Sequence, residues 1–333
     1  MKRVAVLGTG GMGTALALQF GKEVPDVRLW SRNAETARSI DERRSNDRHL
    51  PGIPLGPEIR ISANGRAASE GAELLVAAIP TSYLRSTLER LAPELPPGIP
   101  VLSVVKGIEN ETFDRPSQII RQILGPRPIA VLSGPSHAEE LARGLPASVV
   151  IAGDDDPLNR TIRDLLSHEA FRVYTNSDAL GVELAGALKN ILGVAAGVCD
   201  GLEFGDNAKA ALLTRGLVEI GRLGVELGAK PTTFYGLAGV GDVVTTCYSR
   251  FGRNRAVGER IGRGESLERI LADMVNVAEG VPTTRSVHAL ARRRGVEMPI
   301  TAELYQILFQ GKPPRSAVVD LMLRSPRVEW EPC

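Results

Sequence analysis

Aromatic side chains are scarce in this chain: Phe, Trp and Tyr make up 4% of 333 residues. Stacking platforms for unpaired bases are therefore not expected, and neither is a nucleic-acid partner. An excess of one charge is lacking too, since 40 Lys and Arg offset 39 Asp and Glu to a net +1. That balance implies no polyanionic partner, although a local basic pocket stays open. The three cysteines, Cys199, Cys247 and Cys333, are far apart and odd in number. They make no disulfide framework and no C-x-x-C pair, which favours a reducing, cytoplasmic compartment. His49, His137, His168 and His288 show no i, i+4 pair, so no metal site is expected. Long apolar runs are missing as well. Residues 4–20 carry no charge, but glycines leave only Val4-Ala5-Val6-Leu7 unbroken, whereas a signal peptide needs about 7–15 continuous apolar residues. Nothing approaches a membrane span, so a soluble protein without a membrane partner is expected.

Glycine is abundant instead, with 35 residues against a usual share of about 7%. Short β-type runs at 3–7, 27–30, 58–62, 74–79, 101–105, 129–132 and 148–152 alternate with helical patterns at 11–22, 34–44 and 82–91. Runs such as Leu74-Leu75-Val76-Ala77-Ala78-Ile79 suit a parallel sheet covered on both faces. The connection at 45–57, with three prolines, is long for such a unit and marks a candidate functional loop. After about residue 175 the pattern turns helical, at 178–201, 209–227, 253–264, 266–274, 283–294 and 302–310. The expectation is an α/β chain: an N-terminal Rossmann-like, doubly wound domain over 1–177 and a mostly α-helical domain over 178–333.

Gly8-Thr9-Gly10-Gly11-Met12-Gly13 sets G-x-G-x-x-G between the first strand and the first helix. Gly8 permits the tight turn, Gly10 the close approach of a pyrophosphate, and Gly13 the packing of helix on strand. The helix N-terminus then faces the negative charge of a dinucleotide. The second strand ends in Ser31-Arg32-Asn33, where an NAD enzyme usually carries Asp or Glu for the ribose hydroxyl. Arg32 can pair with a 2′-phosphate, or serve only as a solvated loop charge. NADP(H) is the preferred cofactor and NAD(H) the alternative.

Three further segments place polar groups in Gly/Ala-rich or apolar surroundings. Lys106 follows a strand's carboxyl end, where ligands of open α/β sheets bind. Gly134-Pro135-Ser136-His137-Ala138 follows the next strand and opens a short helix. Lys189 interrupts the apolar helix at 178–201, with Ala185 and Gly193 as its i±4 neighbours, a setting that would let a small ligand approach the amine. Asp242 follows Gly236, Gly239 and Gly241 and reads either as a partner for that chemistry or as a turn or N-cap residue.

These residues together resemble the bacterial type of NAD(P)-dependent glycerol-3-phosphate dehydrogenase, from the Gly8 motif to about residue 310. The matching segments include His49-Leu50-Pro51-Gly52, Lys106-Gly107-Ile108-Glu109, Gly134-Pro135-Ser136 and Ala187-Leu188-Lys189-Asn190. Leu237-Ala238-Gly239-Val240-Gly241-Asp242, Arg253-Asn254-Arg255 and Val277-Ala278-Glu279-Gly280 continue the series. The resemblance implies reversible reduction of dihydroxyacetone phosphate to sn-glycerol 3-phosphate for phospholipid synthesis, by a homodimer. It implies Lys189 as the proton donor and acceptor, with Lys106, Gly134, Ser136, Asp242, Gly252, Arg253 and Asn254 at the substrate. Cofactor contacts fall on Gly8, Gly10, Gly11, Met12, Gly13, Arg32, Lys106, Ala138, Arg253, Val277 and Glu279. Two positions depart from the family pattern: Gly252 stands where serine is usual, and Gly11 where some members carry serine. The competing readings are a two-domain reductase of β-hydroxyacids or ketopantoate, whose substrates carry a carboxylate, and a non-catalytic NADP(H)-responsive protein.

Overall fold

The computed structural model describes residues 1–325, 328 and 329. Cys333 lies outside the described residues. The chain packs as two compact units, Met1–Lys106 with Asp114–Glu183, and Gly107–Phe113 with the chain from Leu184 onward. Within the second unit the Ser286 hydroxyl lies 3.0 Å from the Ile108 carbonyl oxygen and 2.6 Å from Asn110 Oδ1.

The first unit is built on eight strands: β1 (Arg3–Leu7), β2 (Asp26–Trp30), β3 (Ile59–Ser62), β4 (Leu74–Ala77), β5 (Val101–Ser103), β6 (Ile129–Ser133), β7 (Ala147–Gly153) and β8 (Phe171–Asn176). Their order is β3-β2-β1-β4-β5-β6-β7-β8, so the winding reverses between β1 and β4, the switch point of a doubly wound sheet. Its helices are α1 (Gly11–Phe20), α2 (Ala34–Arg43), α3 (Gly65–Ser69), α4 (Thr81–Leu91), α5 (Pro116–Leu124), α6 (Ala138–Ala142) and α7 (Asp156–Leu166). Every strand pair is parallel except β6 with β7, which is antiparallel. The sheet is thus mostly parallel, with one reversal that the apolar runs did not mark. The only helix between β6 and β7 is the five-residue α6. At about 1.5 Å per residue it is too short to carry the chain back along a strand that rises about 3.3 Å per residue. The chain therefore re-enters the sheet at the end it left.

Alternate residues of each central strand feed two separate cores, which is why the strands read as unbroken apolar runs. Val4, Val6, Leu74 and Val76 pack with Leu16 and Phe20 of α1 and Ile162 of α7. Ala5, Leu7, Leu75 and Ala77 pack with Leu84 and Leu88 of α4 and Ile119 of α5.

α8 (Ala179–Gly201) carries the chain from the first unit into the second. The second unit continues with α9 (Gly205–Glu226), α10 (Asp242–Tyr248), α11 (Arg253–Gly262), α12 (Leu267–Asp273), α13 (Gly280–Arg294), α14 (Pro299–Gln310) and α15 (Pro314–Met322). Asp178 caps α8, accepting from the Gly181 amide at 2.9 Å. α8 has the length and hydropathy of a membrane span, yet its residues 181–199 are all buried inside the protein. Its glycines serve that burial. A Cβ on Gly197 would collide with the Arg255 carbonyl, one on Gly201 with that of Glu259, and one on Gly258 of α11 with that of Val194. Each mid-helix glycine costs about 1 kcal/mol in propensity; in exchange the backbones of α8 and α11 touch.

Candidate active site

In the first unit the glycine turn lies at the carboxyl end of β1, beside the switch point. Gly8 has φ +124°, and a Cβ there would stand 2.6 Å from the Ala78 carbonyl oxygen. A Cβ on Gly13 would collide with the Gly8 carbonyl, while one on Gly10 would meet nothing within 4 Å. Open backbone at Gly10, between two positions closed to any side chain, is the cradle a pyrophosphate needs. The first α1 amide to bond inside the helix is that of Thr14, to Gly10 O at 3.0 Å. As at any helix start, the amides of Gly11, Met12 and Gly13 have no acceptor within the helix, and the first turn carries no acidic side chain. Ala138, the first residue of α6, sits against Gly11: a Cβ added to Gly11 would come within 3.3 Å of the Ala138 Cβ.

At the end of β2, Ser31 is buried and Arg32 exposed. Ser31 Oγ accepts from the Thr9 hydroxyl at 3.3 Å. Arg32 extends over the Tyr83 ring, 5.5 Å from its centroid, and among the described residues no carboxylate pairs with it. At the ends of β5 and β6, Lys106 Nζ donates to Gly134 O (2.9 Å) and Ser136 Oγ (3.3 Å), and Ser136 Oγ donates to Gly134 O (2.8 Å). His137 stands at the N-cap of α6, a helix-terminus residue as its sequence position suggests. Gly8, Gly10–Gly13, Arg32, Lys106, Gly134, Ser136 and Ala138 thus share the carboxyl ends of β1, β2, β5 and β6.

In the second unit Lys189 is 8% exposed and Asp242 2%. A buried ammonium is tolerable only when paired. Lys189 Nζ donates to Asp242 Oδ1 at 2.9 Å and to the Thr246 hydroxyl. Lys189 is therefore not a surface lysine, and the Asp242 side chain does more than the turn or cap its sequence position allowed. Thr246 lies one helical turn beyond Asp242 on α10 and was not singled out in the sequence. Its Val243-Val244-Thr245-Thr246 surroundings read as β-prone rather than helical, so the four-residue spacing carried no signal.

The room beside Lys189 also needs correction. A Cβ on Gly193 would collide with Thr246 Cγ2 and come within 3.1 Å of Asn254 Cβ. The small residue admits the protein's own side chains, not a ligand. Asn254 Nδ2 donates to Asn190 Oδ1 at 2.8 Å, and the Gly280 amide donates to Asn254 Oδ1 at 2.9 Å. Asn190, a second residue the sequence left without a role, therefore joins α8 to α11. Arg253, exposed at the start of α11, donates from Nη1 to the Val277 carbonyl at 3.0 Å, and Glu279 directly precedes α13. Gly252 has φ −68° and so no left-handed strain. Among the described residues the two cysteines are poor nucleophiles, because burial pushes the Cys199 thiol up to about 11 and the Cys247 thiol to about 12.

A G-x-G-x-x-G turn between strand and helix and a buried, carboxylate-paired lysine, each carried on its own unit of one chain, point to a class. The chain is a two-domain, NAD(P)-dependent oxidoreductase. The N-terminal family description, NAD-dependent glycerol-3-phosphate dehydrogenase N-terminus, matches residues 3–158, and its C-terminal counterpart matches 178–319. A glycerol-3-phosphate dehydrogenase, NAD(P)+, of Geobacillus thermodenitrificans is 47% identical over 99% of this chain and 97% of its own length. One of Desulfitobacterium hafniense is 45% identical over 99% and 94%. The crystal structure of glycerol-3-phosphate dehydrogenase from Coxiella burnetii superposes with a TM-score of 0.93 at 36% identity, covering 97% of this chain and 99% of that one. The chain belongs to the NAD-dependent glycerol-3-phosphate dehydrogenase family.

Proposed function

We propose that the chain reduces dihydroxyacetone phosphate to sn-glycerol 3-phosphate, with NADPH preferred over NADH, and so supplies phospholipid synthesis. The observation that carries the chemistry is Lys189, buried and bonded to Asp242 and Thr246. Reduction of the ketone adds a hydride to carbon, supplied by the nicotinamide when it is bound, and a proton to oxygen. Two of the three N–H donors of Lys189 are engaged by Asp242 and Thr246, and the third remains for the ketone oxygen. There it stabilises the developing alkoxide and then protonates it. Asp242 keeps the ammonium fixed in direction between turnovers. Lys106, Gly134 and Ser136 would also contact the substrate.

The substrate phosphate would be held by Arg253 and the α11 N-terminus at Gly252, with Asn254 fixing the position of that helix start through Asn190 and Gly280. The cofactor would be held by Gly8, Gly10, Gly11, Met12 and Gly13, by Ala138, Lys106, Val277 and Glu279, and by Arg32 at the 2′-phosphate. The absence of a carboxylate partner for Arg32 among the described residues supports NADPH. A homodimer and a cytoplasmic location complete the reading, the first on the family resemblance and the second on the two free, buried thiols.

The test is the loss of nicotinamide absorbance when NADPH and the protein are mixed with dihydroxyacetone phosphate, ketopantoate or unphosphorylated dihydroxyacetone. Rapid turnover confined to dihydroxyacetone phosphate is expected. Turnover of ketopantoate alone would overturn the assignment, and binding of NADPH without any turnover would leave a non-catalytic protein.

A further inference from the structure

The connection at residues 45–57 has no task in the proposed chemistry, yet it is tightly closed. Ser45 bridges Pro54, and the Leu55 amide donates to the Arg44 carbonyl at 2.8 Å. Arg44, held at φ +51°, donates from Nη2 to the Ile59 carbonyl at 2.7 Å. Leu50 and Leu55 are buried in the same core as α1. Within this frame Asn46 is 2% exposed, and its backbone carbonyl accepts from the amides of His49 (3.0 Å) and Leu50 (2.8 Å). Its side chain reaches the glycine turn. Nδ2 donates to the Thr9 carbonyl at 2.8 Å and to the Thr14 hydroxyl at 2.8 Å. A carbonyl can only accept, so the atom facing Thr9 O is the amide nitrogen, and both its hydrogens are used.

We infer that Asn46 is a positioning residue for the dinucleotide, acting through the Thr9–Gly10 peptide. In a trans peptide the carbonyl and the next N–H point in opposite directions. Drawing Thr9 O toward Asn46 therefore turns the Gly10 amide away from Asn46, at a residue where an added Cβ would meet nothing within 4 Å. Glycines at 8, 10 and 11 leave this backbone without side chains that could hold its angles. The hold comes instead from outside: Asn46 on Thr9 O, Ser31 on the Thr9 hydroxyl, and the Trp30 carbonyl on the Gly8 amide at 3.0 Å. The loop is thus a brace for the phosphate-binding turn. This inference rests on reading that turn as the cofactor site.

The experiment compares Asn46→Ala and Asn46→Asp with the wild-type protein. It reads NADPH and NADH dissociation constants by fluorescence titration, kcat and both KM values, and the melting temperature without cofactor. Losing the buried hydrogen bond should weaken NADPH and NADH by the same factor, about five- to tenfold for Asn46→Ala. The loss should be larger for Asn46→Asp, whose carboxylate faces a carbonyl oxygen and the cofactor's own negative charge. It should fall on the cofactor constants, while KM for dihydroxyacetone phosphate moves little. Unchanged cofactor constants beside a lowered melting temperature would reduce Asn46 to a core residue and overturn the inference, as would unequal losses for the two cofactors. Should the Asp variant fail to fold, Asn46→Ala decides alone. Absence of nicotinamide-nucleotide binding by the wild-type protein would refute the cofactor reading itself, a separate result.

Discussion

Replacing Gly252 by serine restores the residue usual in the family and pits two effects against each other. From sequence alone the added hydroxyl, beside Arg253 at the helix start, should tighten phosphate binding by about 1.5–3 kcal/mol. The structure removes one objection, since φ −68° and ψ 96° are open to serine, and raises another. A Cβ on Gly252 would stand 2.9 Å from the Thr246 carbonyl oxygen, 3.1 Å from that of Ser249 and 3.4 Å from Arg255 Cβ. The first two are backbone atoms, so α10 would have to yield, and overpacking of this kind costs about 1–3 kcal/mol. Thr246 also carries the hydroxyl bonded to Lys189, so the displacement reaches the proposed proton donor. Gly252→Ala carries the steric cost without the hydroxyl and serves as the reference. We expect Gly252→Ala to lower the melting temperature and kcat. Gly252→Ser should share both losses while its KM for dihydroxyacetone phosphate, not for unphosphorylated dihydroxyacetone, falls below that of the alanine variant. A serine variant with wild-type kcat and stability would refute the steric argument. Identical KM values for the two variants would refute phosphate recognition at this helix start.

Three further outcomes are expected. Lys189→Ala should lower turnover by about 10²–10⁴-fold while NADPH titration stays near wild type; retained turnover would remove Lys189 from the reaction. Arg32→Ala should weaken NADPH by about 1.5–3 kcal/mol and spare NADH, and equal losses would rule out a 2′-phosphate contact. Glu219→Gln should destabilise the helical unit by about 1–3 kcal/mol in chemical denaturation, because the buried carboxylate accepts from the Ile300 and Thr301 amides, each at 2.8 Å, and an amide nitrogen cannot. Burial raises the Glu219 carboxyl, against the pull of the Thr301 and Ile300 donors. Its contribution is therefore present below the unfolded carboxylate value and is lost as pH rises through the folded one; the glutamine variant should lack that slope.

Much of the first unit was legible because its signals are local. β1 matches its predicted run at 3–7, and the other early strands agree within two residues, since alternating burial into two cores leaves continuous apolar runs. The glycine turn, Lys106 and the Gly134-Pro135-Ser136 segment were legible because each follows such a run. What failed to show was non-local. The β6–β7 reversal depends on the shortness of α6. The role of Asn46 depends on a contact 37 positions away in the chain, between loops of no regular period. Thr246 was hidden by a β-branched stretch that nonetheless lies within α10.

The glycine surplus has two physical uses, and only one has a sequence signature. Around Gly10 the missing side chain leaves backbone open to a ligand. Along α8 and α11 it lets carbonyls of one helix press on the Cα atoms of the other. The first use has a fixed spacing and a strand before it. The second shares its i, i+4 repeat with any small-residue helix, so the Gly193 position beside Lys189 read as room for substrate. In the fold that room holds Thr246 and Asn254. The surroundings of Lys189 are therefore packed side chains of the protein itself, Thr246 from α10 and Asn254 from α11. Bonded to Asp242 and Thr246, the lysine keeps one direction for its remaining N–H, as the proposed delivery of a proton to a single ketone oxygen requires.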